Sequence, residues 1–154
     1  MRDQVTALPR LRTAPPAVPP GFVRRPRLED RLTAGTAGPV TMASAGPGAG
    51  KTLTLAGWAQ RAPVPVTWLA VDDTDNDLQA FWSDVLGALT ISDSVPDDSP
   101  LRHITPAAGF GASGVALIRA GLAELPDRVV LVLDDFHHIT DRAVLDSFGQ
   151  LLDH

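Results

Sequence analysis

Apolar residues along this chain recur in two rhythms, and the rhythms alternate. Leu78, Phe81, Trp82, Val85, Leu86 and Leu89 fall at i, i+3, i+4, i+7, i+8 and i+11, one face of a helix. Asp75 or Asn76 stands where its cap is needed. A second helical face carries Val115, Ile118, Leu122 and Leu125, with Ser113 as the expected cap and Pro126 closing it. A third carries Val144, Leu145, Phe148, Leu151 and Leu152 behind Asp141. Upstream, Pro26 opens a helix with Leu28 and Leu32 on one side, and Gly35 and Gly38 end it. Leu53, Leu55, Trp58 and Ala59 mark a further helix that should stop near Ala62, before Pro63. Between the helices lie short apolar runs: Val40–Ser44, Val66–Val71 and Val129–Leu133. Runs of that length, rich in β-branched residues, read as buried strands. Residues 91–112, rich in Ser, Asp, Pro and Gly, read as loop. Strand alternating with helix predicts an α/β fold with a parallel sheet. Trp68, Phe81 and Trp82 are expected in its core.

Composition adds little to that picture, but charge divides it. The chain of 154 residues is long enough for one domain, and its lack of cysteine removes disulfides and thiolate metal sites. No apolar run reaches the length of a membrane span and no signal-peptide core is present, so a cytoplasmic protein without a membrane partner is expected. Residues 1–31 hold seven arginines against three acids, a charge of +4; the rest holds six bases against fifteen acids, −9, for the total of −5. The acidic body argues against nucleic-acid binding by the domain itself. Five prolines among residues 1–20 predict a disordered Pro/Arg-rich arm over 1–21, with the folded domain over 22–154.

Candidate chemistry concentrates in two places. The first is Ala45-Gly46-Pro47-Gly48-Ala49-Gly50-Lys51-Thr52, set between a predicted strand and a predicted helix, the context of a phosphate-binding loop. Glycines let the backbone turn its N–H groups inward around anionic oxygens, and the helix start adds its dipole and unpaired donors. Lys51 would reach the β- and γ-phosphates, Thr52 would place its hydroxyl on magnesium, and Leu53 completes the segment around the nucleotide. Lys51 is also the only lysine in the chain. Arginine, with its larger planar head, substitutes poorly for a point charge in such a loop.

The second place is Asp134-Asp135, at the carboxyl end of the apolar run Val129–Leu133. Ligands of open α/β sheets bind at that edge. Asp134 would hold the magnesium ion, directly or through water, and Asp135 would orient or deprotonate an attacking water. The acidic stretch Asp72–Asp77 reads chiefly as a solvated cap for the following helix. His137 and His138 read as packing or hydrogen-bonding residues, and the Arg24–Arg27 run as a basic surface turn.

Five segments occur in an order that resembles one family. They are Arg25–Leu32 (RPRLEDRL), Ala43–Ala59 (ASAGPGAGKTLTLAGWA), Val66–Asp77 with Phe81–Leu89 (VTWLAVDDTDND, FWSDVLGAL), and Val129–Ile139 (VVLVLDDFHHI). Over residues 22–154 the chain is similar to the N-terminal ATPase domain of MalT-like LuxR-type transcriptional regulators, which belong to the signal-transduction ATPases with numerous domains. The resemblance implies a P-loop NTPase three-layer sandwich, incomplete at its C-terminus. It also implies phosphate contacts from Gly46, Gly48, Gly50 and Lys51, magnesium at Thr52 and Asp134, and a water-directing Asp135. ATP and ADP would be its ligands, and slow hydrolysis would reset a self-associating switch. DNA would be met only through a C-terminal domain that lies beyond this sequence. Two other readings stand beside it: a nucleotide-binding interaction module without turnover, and a P-loop ATPase or kinase of another family. Relative to that family the chain reads as truncated, so Val40–Ser44 and Val129–Leu133 are each expected to lack a neighbouring strand.

Overall fold

The computed structural model describes residues 12–153. Residues 1–11 of the expected arm lie outside that range. Two strands, β1 (Val66–Ala70) and β2 (Val130–Asp134), pair in parallel. Their register runs from Val66 opposite Val130 to Ala70 opposite Asp134. Around them, in chain order, stand α1 (Pro26–Gly35), α2 (Lys51–Ala59), α3 (Leu78–Thr90), α4 (Ala112–Ala123) and α5 (Arg142–Leu152). The protein is therefore mixed α/β with a small, open parallel sheet.

Successive strand residues point to opposite faces, and the two faces bury different clusters. On one, Trp68 and Val132 pack with Ala56 and Trp58 of α2, joined by Leu32 of α1 and by Val18. On the other, Leu69, Leu131 and Leu133 meet Phe81, Trp82 and Val85 of α3, Val115 and Ile118 of α4, and Val144 of α5. Phe81 sits edge-on to Trp82 (ring centroids 5.1 Å) and to Phe148 (6.0 Å). Each such ring removed from water contributes about 1.5–3 kcal/mol. Trp68, Phe81 and Trp82 are buried as expected. The Trp82 indole N–H donates to Ser147 Oγ at 3.1 Å, and that hydroxyl donates to Val144 O at 2.8 Å.

Several local expectations shift. Val40–Ser44 is not a strand: it runs as an exposed segment outside the sheet, with Val40 51% and Met42 86% accessible. Thr41 instead nestles against Gly35, where a Cβ would overlap its side chain. Strand propensity is expressed only against a pairing partner, and β2 pairs with β1 alone among the described residues. The cap of α3 is neither Asp75 nor Asn76 but Asp77, whose Oδ1 accepts from Ala80 N at 2.9 Å. Helix α4 starts one residue ahead of Ser113, behind Gly111. Asp141 caps α5 as expected, accepting from Val144 N. Within the expected loop 91–112, Pro100–His103 forms a 3-10 turn.

Charge ties the remaining pieces down. Glu29 of α1, only 7% exposed, accepts from Arg24 at 2.6 Å and from Arg61, just beyond α2, at 2.7 Å. Those hydrogen bonds, Arg24's first, hold its carboxyl near pKa 2. The Arg24 expected in a basic surface turn is thus engaged in joining α1 to the end of α2.

Candidate functional site

Ala45–Gly50 forms the turn that feeds α2, and the backbone shows why glycine recurs in it. Gly48 and Gly50 have φ of 75° and 76°, the left-handed region that side chains avoid. Gly46 is different. Its φ is not positive, and a Cβ there would meet nothing within 4 Å. Neither the backbone nor packing within the chain calls for glycine at 46. No side chain caps the N-terminus of α2, so the turn and the helix start present backbone donors outward. Lys51 folds back over the turn, its Nζ donating to Ala45 O at 2.7 Å. Pro47, Ala49 and Leu53 complete the segment, with Pro47 exposed and the other two half-buried.

The two predicted halves of the site meet. Thr52 Oγ1, in the first turn of α2, donates to Asp134 Oδ1 at the end of β2, 3.1 Å away across 82 residues. Asp134 is 7% exposed. Burial pushes its carboxyl pKa up, against the pull of the Thr52 hydroxyl and the Lys51 charge. An ionised carboxylate so placed is stabilised by any further cation. Among the described residues no group of three or more His, Cys, Asp or Glu gathers as a metal cage. A magnesium ion seldom needs one, since it takes one or two protein oxygens and fills the rest with water and phosphate. Thr52 and Asp134 would be those oxygens.

Asp135 follows in the left-handed conformation, φ 56° and ψ 32°, the sole non-glycine residue with positive φ among those described. Its side chain is half exposed, 3.9 Å from His137 Nδ1. A 3-10 turn, Phe136–His138, comes next. His138 Nδ1 lies 2.8 Å from Asp73 Oδ1, and that hydrogen bond raises its pKa. The hydrogen-bonding role expected for His138 is present.

The stretch Asp72–Asp77 does more than cap a helix. Asp75 is fully buried and accepts from Asp72 N at 2.9 Å. Arg12 reaches it from the N-terminal side and also bonds Asp84 at 2.8 Å and Ala70 O at 3.0 Å. Asn76 crosses to the segment after Asp135. Sequence reasoning offered Asn76 only as a helix cap and did not single out Arg12. The available sign was a lone amide within a run rich in acids, a side chain with two donors and an acceptor.

No family profile matches the chain. Over 149 residues, 90% of the chain, it is 32% identical to the serine/threonine-protein kinase PknK of Mycobacterium tuberculosis strain CDC 1551 / Oshkosh. The same figures hold for PknK of M. tuberculosis strain ATCC 25618 / H37Rv and of M. bovis strain ATCC BAA-935 / AF2122/97. The chain spans about 13% of the length of these curated relatives. Among the described residues no helix is long and apolar enough to cross a membrane.

Proposed function

We propose that this chain is the ATP-binding, slowly hydrolysing switch domain of a MalT-like LuxR-type regulator, built on the P-loop three-layer plan. The observation that carries the reading is the hydrogen bond from Thr52 to Asp134. It sets a helix-start hydroxyl and a strand-end carboxylate side by side, the pair that holds magnesium in P-loop enzymes. The left-handed Gly48 and Gly50, and the open space above Gly46, support phosphate as the ligand. Bound magnesium would supply neutralising charge. Lys51 would leave Ala45 O for the terminal phosphates, the turn's N–H groups would cradle them, and Asp135 would hold a water for attack.

The relatives are named as protein kinases, which supports a nucleotide as ligand but not phosphotransfer to protein. The turn here has the Gly-Lys-Thr ending of a P-loop, whereas protein kinases cover phosphates with a differently spaced glycine loop. A second reading, binding without turnover, is favoured by one observation. Val40–Ser44 lies outside the sheet, so among the described residues no strand leads into the turn. Steady phosphate release separates the two readings, and a phosphorylated small-molecule product would point to a kinase of another family.

The deciding experiment is titration of a fluorescent ATP analogue against the protein and its Lys51→Ala variant. A charge-assisted phosphate contact contributes about 1.5–3 kcal/mol, so affinity should fall at least about tenfold. Equal affinities would refute the assignment.

A further inference from the structure

Asp135 stands between two anchors. Upstream, β2 is fixed to the sheet, and Val71 N donates to Asp134 O at 2.9 Å. Downstream, beside the His138–Asp73 contact, the backbone is staked by one side chain from the same neighbouring loop. Asn76 Nδ2 donates to His138 O at 2.8 Å. Its Oδ1 accepts from Thr140 N at 2.7 Å and from Asp141 N at 2.8 Å. One amide thus satisfies three backbone groups of the segment that follows Asp135. Between the anchors, His138 N donates to Asp135 O at 3.0 Å, closing the turn on the left-handed residue. A non-glycine residue in that conformation costs about 1–3 kcal/mol and persists where its surroundings over-determine it.

Asn76 is itself held. Asp72 and Asp75 cap each other's turn reciprocally, and Asp75 lies fully buried beneath Arg12. Directly after Asn76, Asp77 caps α3. The amide therefore projects from a turn locked at both ends.

We propose that Asn76 is a positioning residue for Asp135: its amide, fixed by the turn under Arg12, holds the 138–141 segment and so aims the Asp135 carboxylate. The inference rests on the reading of Asp135 as the water-directing group. A mere loop staple would stabilise the protein without a selective effect on turnover. A positioning role requires that turnover fall while nucleotide affinity stays.

The test compares wild type, Asn76→Ala and Asn76→Asp in three measurements. Amide hydrogen exchange at Thr140 and Asp141, without nucleotide, reads the clamp itself. ATP-analogue titration in magnesium reads binding, and steady-state phosphate release reads kcat and KM. Asn76→Ala should expose both amides to exchange. It should hold affinity and KM within about twofold and lower kcat at least about tenfold. Asn76→Asp keeps an acceptor for the two amides while losing the donor to His138 O. It should restore their protection and recover part of kcat even if the alanine variant is poorly folded. Unchanged exchange, unchanged kcat, or parallel loss of affinity and kcat would each overturn the inference. If binding does not depend on Lys51, or the wild type releases no phosphate, the functional reading fails first and takes this inference with it. Lys51-dependent turnover that Asn76→Ala leaves intact defeats this inference alone.

Discussion

Thr52 and Asp134 lie 82 residues apart in sequence, yet the hydroxyl of one donates to the carboxylate of the other at 3.1 Å. The contact spans the start of α2 and the end of β2, so it registers the Ala45–Gly50 turn against the sheet edge. In a nucleotide complex the same two oxygens would turn toward a shared cation.

That pairing makes the effect of magnesium separable from that of the phosphates. On the proposed reading Asp134→Asn removes a charged magnesium ligand, so ATP affinity in magnesium should drop about tenfold or more, about 1.4 kcal/mol. With magnesium chelated, wild type and variant should bind alike. Titration in both conditions checks it, and equal losses in both would show that Asp134 serves the fold rather than the cation.

The backbone at Asp135 gives a prediction with two independent orders. Its φ of 56° suits Gly and Asn and penalises Ala by about 1 kcal/mol. Asp135→Gly and Asp135→Asn should therefore melt above Asp135→Ala. All three lack the carboxylate, so all three should lose turnover while binding ATP nearly normally. Thermal melts beside phosphate-release assays check both orders.

The α/β class, the two paired strands and the helical faces were legible because period and burial agree along those segments. Phe81, Trp82 and Val85 recur at helical spacing and are indeed buried together. Val40–Ser44 failed for a reason that periodicity does not encode. A strand is a relation between segments, and this one finds no partner among the described residues. The chemistry of Asp72–Asp77 was half legible. Local capping is written in sequence, but Asn76 reaches 62 to 65 residues away, and such a bond is settled only by the fold. Arg12 is similar: proline-rich surroundings suggested a free tail, while its guanidinium engages the buried Asp75.

Glu29 confers a pH dependence of known sign. Its pKa is lowered from 4.5 to about 2 in the folded protein by Arg24 and Arg61. The stability it adds is therefore full above about 4.5 and is lost as pH falls toward 2. His138, raised above 6.5 by Asp73, acts oppositely: its contribution is present below 6.5 and fades as pH rises through the folded value. Glu29→Gln should melt below wild type at pH 7, with the gap closing as pH drops from 4.5 to 3. A gap independent of pH would mean that shape, not charge, explains the residue.

Ser147 tests the larger cluster. Ser147→Ala would leave the buried Trp82 indole N–H without its acceptor, at a cost of about 1–3 kcal/mol. Adding Trp82→Phe removes that orphaned donor, so the double variant should lose less than the sum of the two single changes. Denaturant unfolding of the four proteins completes the cycle.

Lys51, the chain's only lysine, gives the phosphate turn an unplanned chemical address. Apart from the amino terminus, an acylating reagent has one amine to find, and it sits over Ala45 O. Acylation there would erase the turn's sole side-chain charge and, on the proposed reading, take away the group that would meet phosphate. An acyl increment mapped to Lys51 then counts empty turns, and anything that fills the turn slows its appearance. On the proposed reading, the same economy would let one acetyl group block the turn, with no second lysine to dilute the reagent.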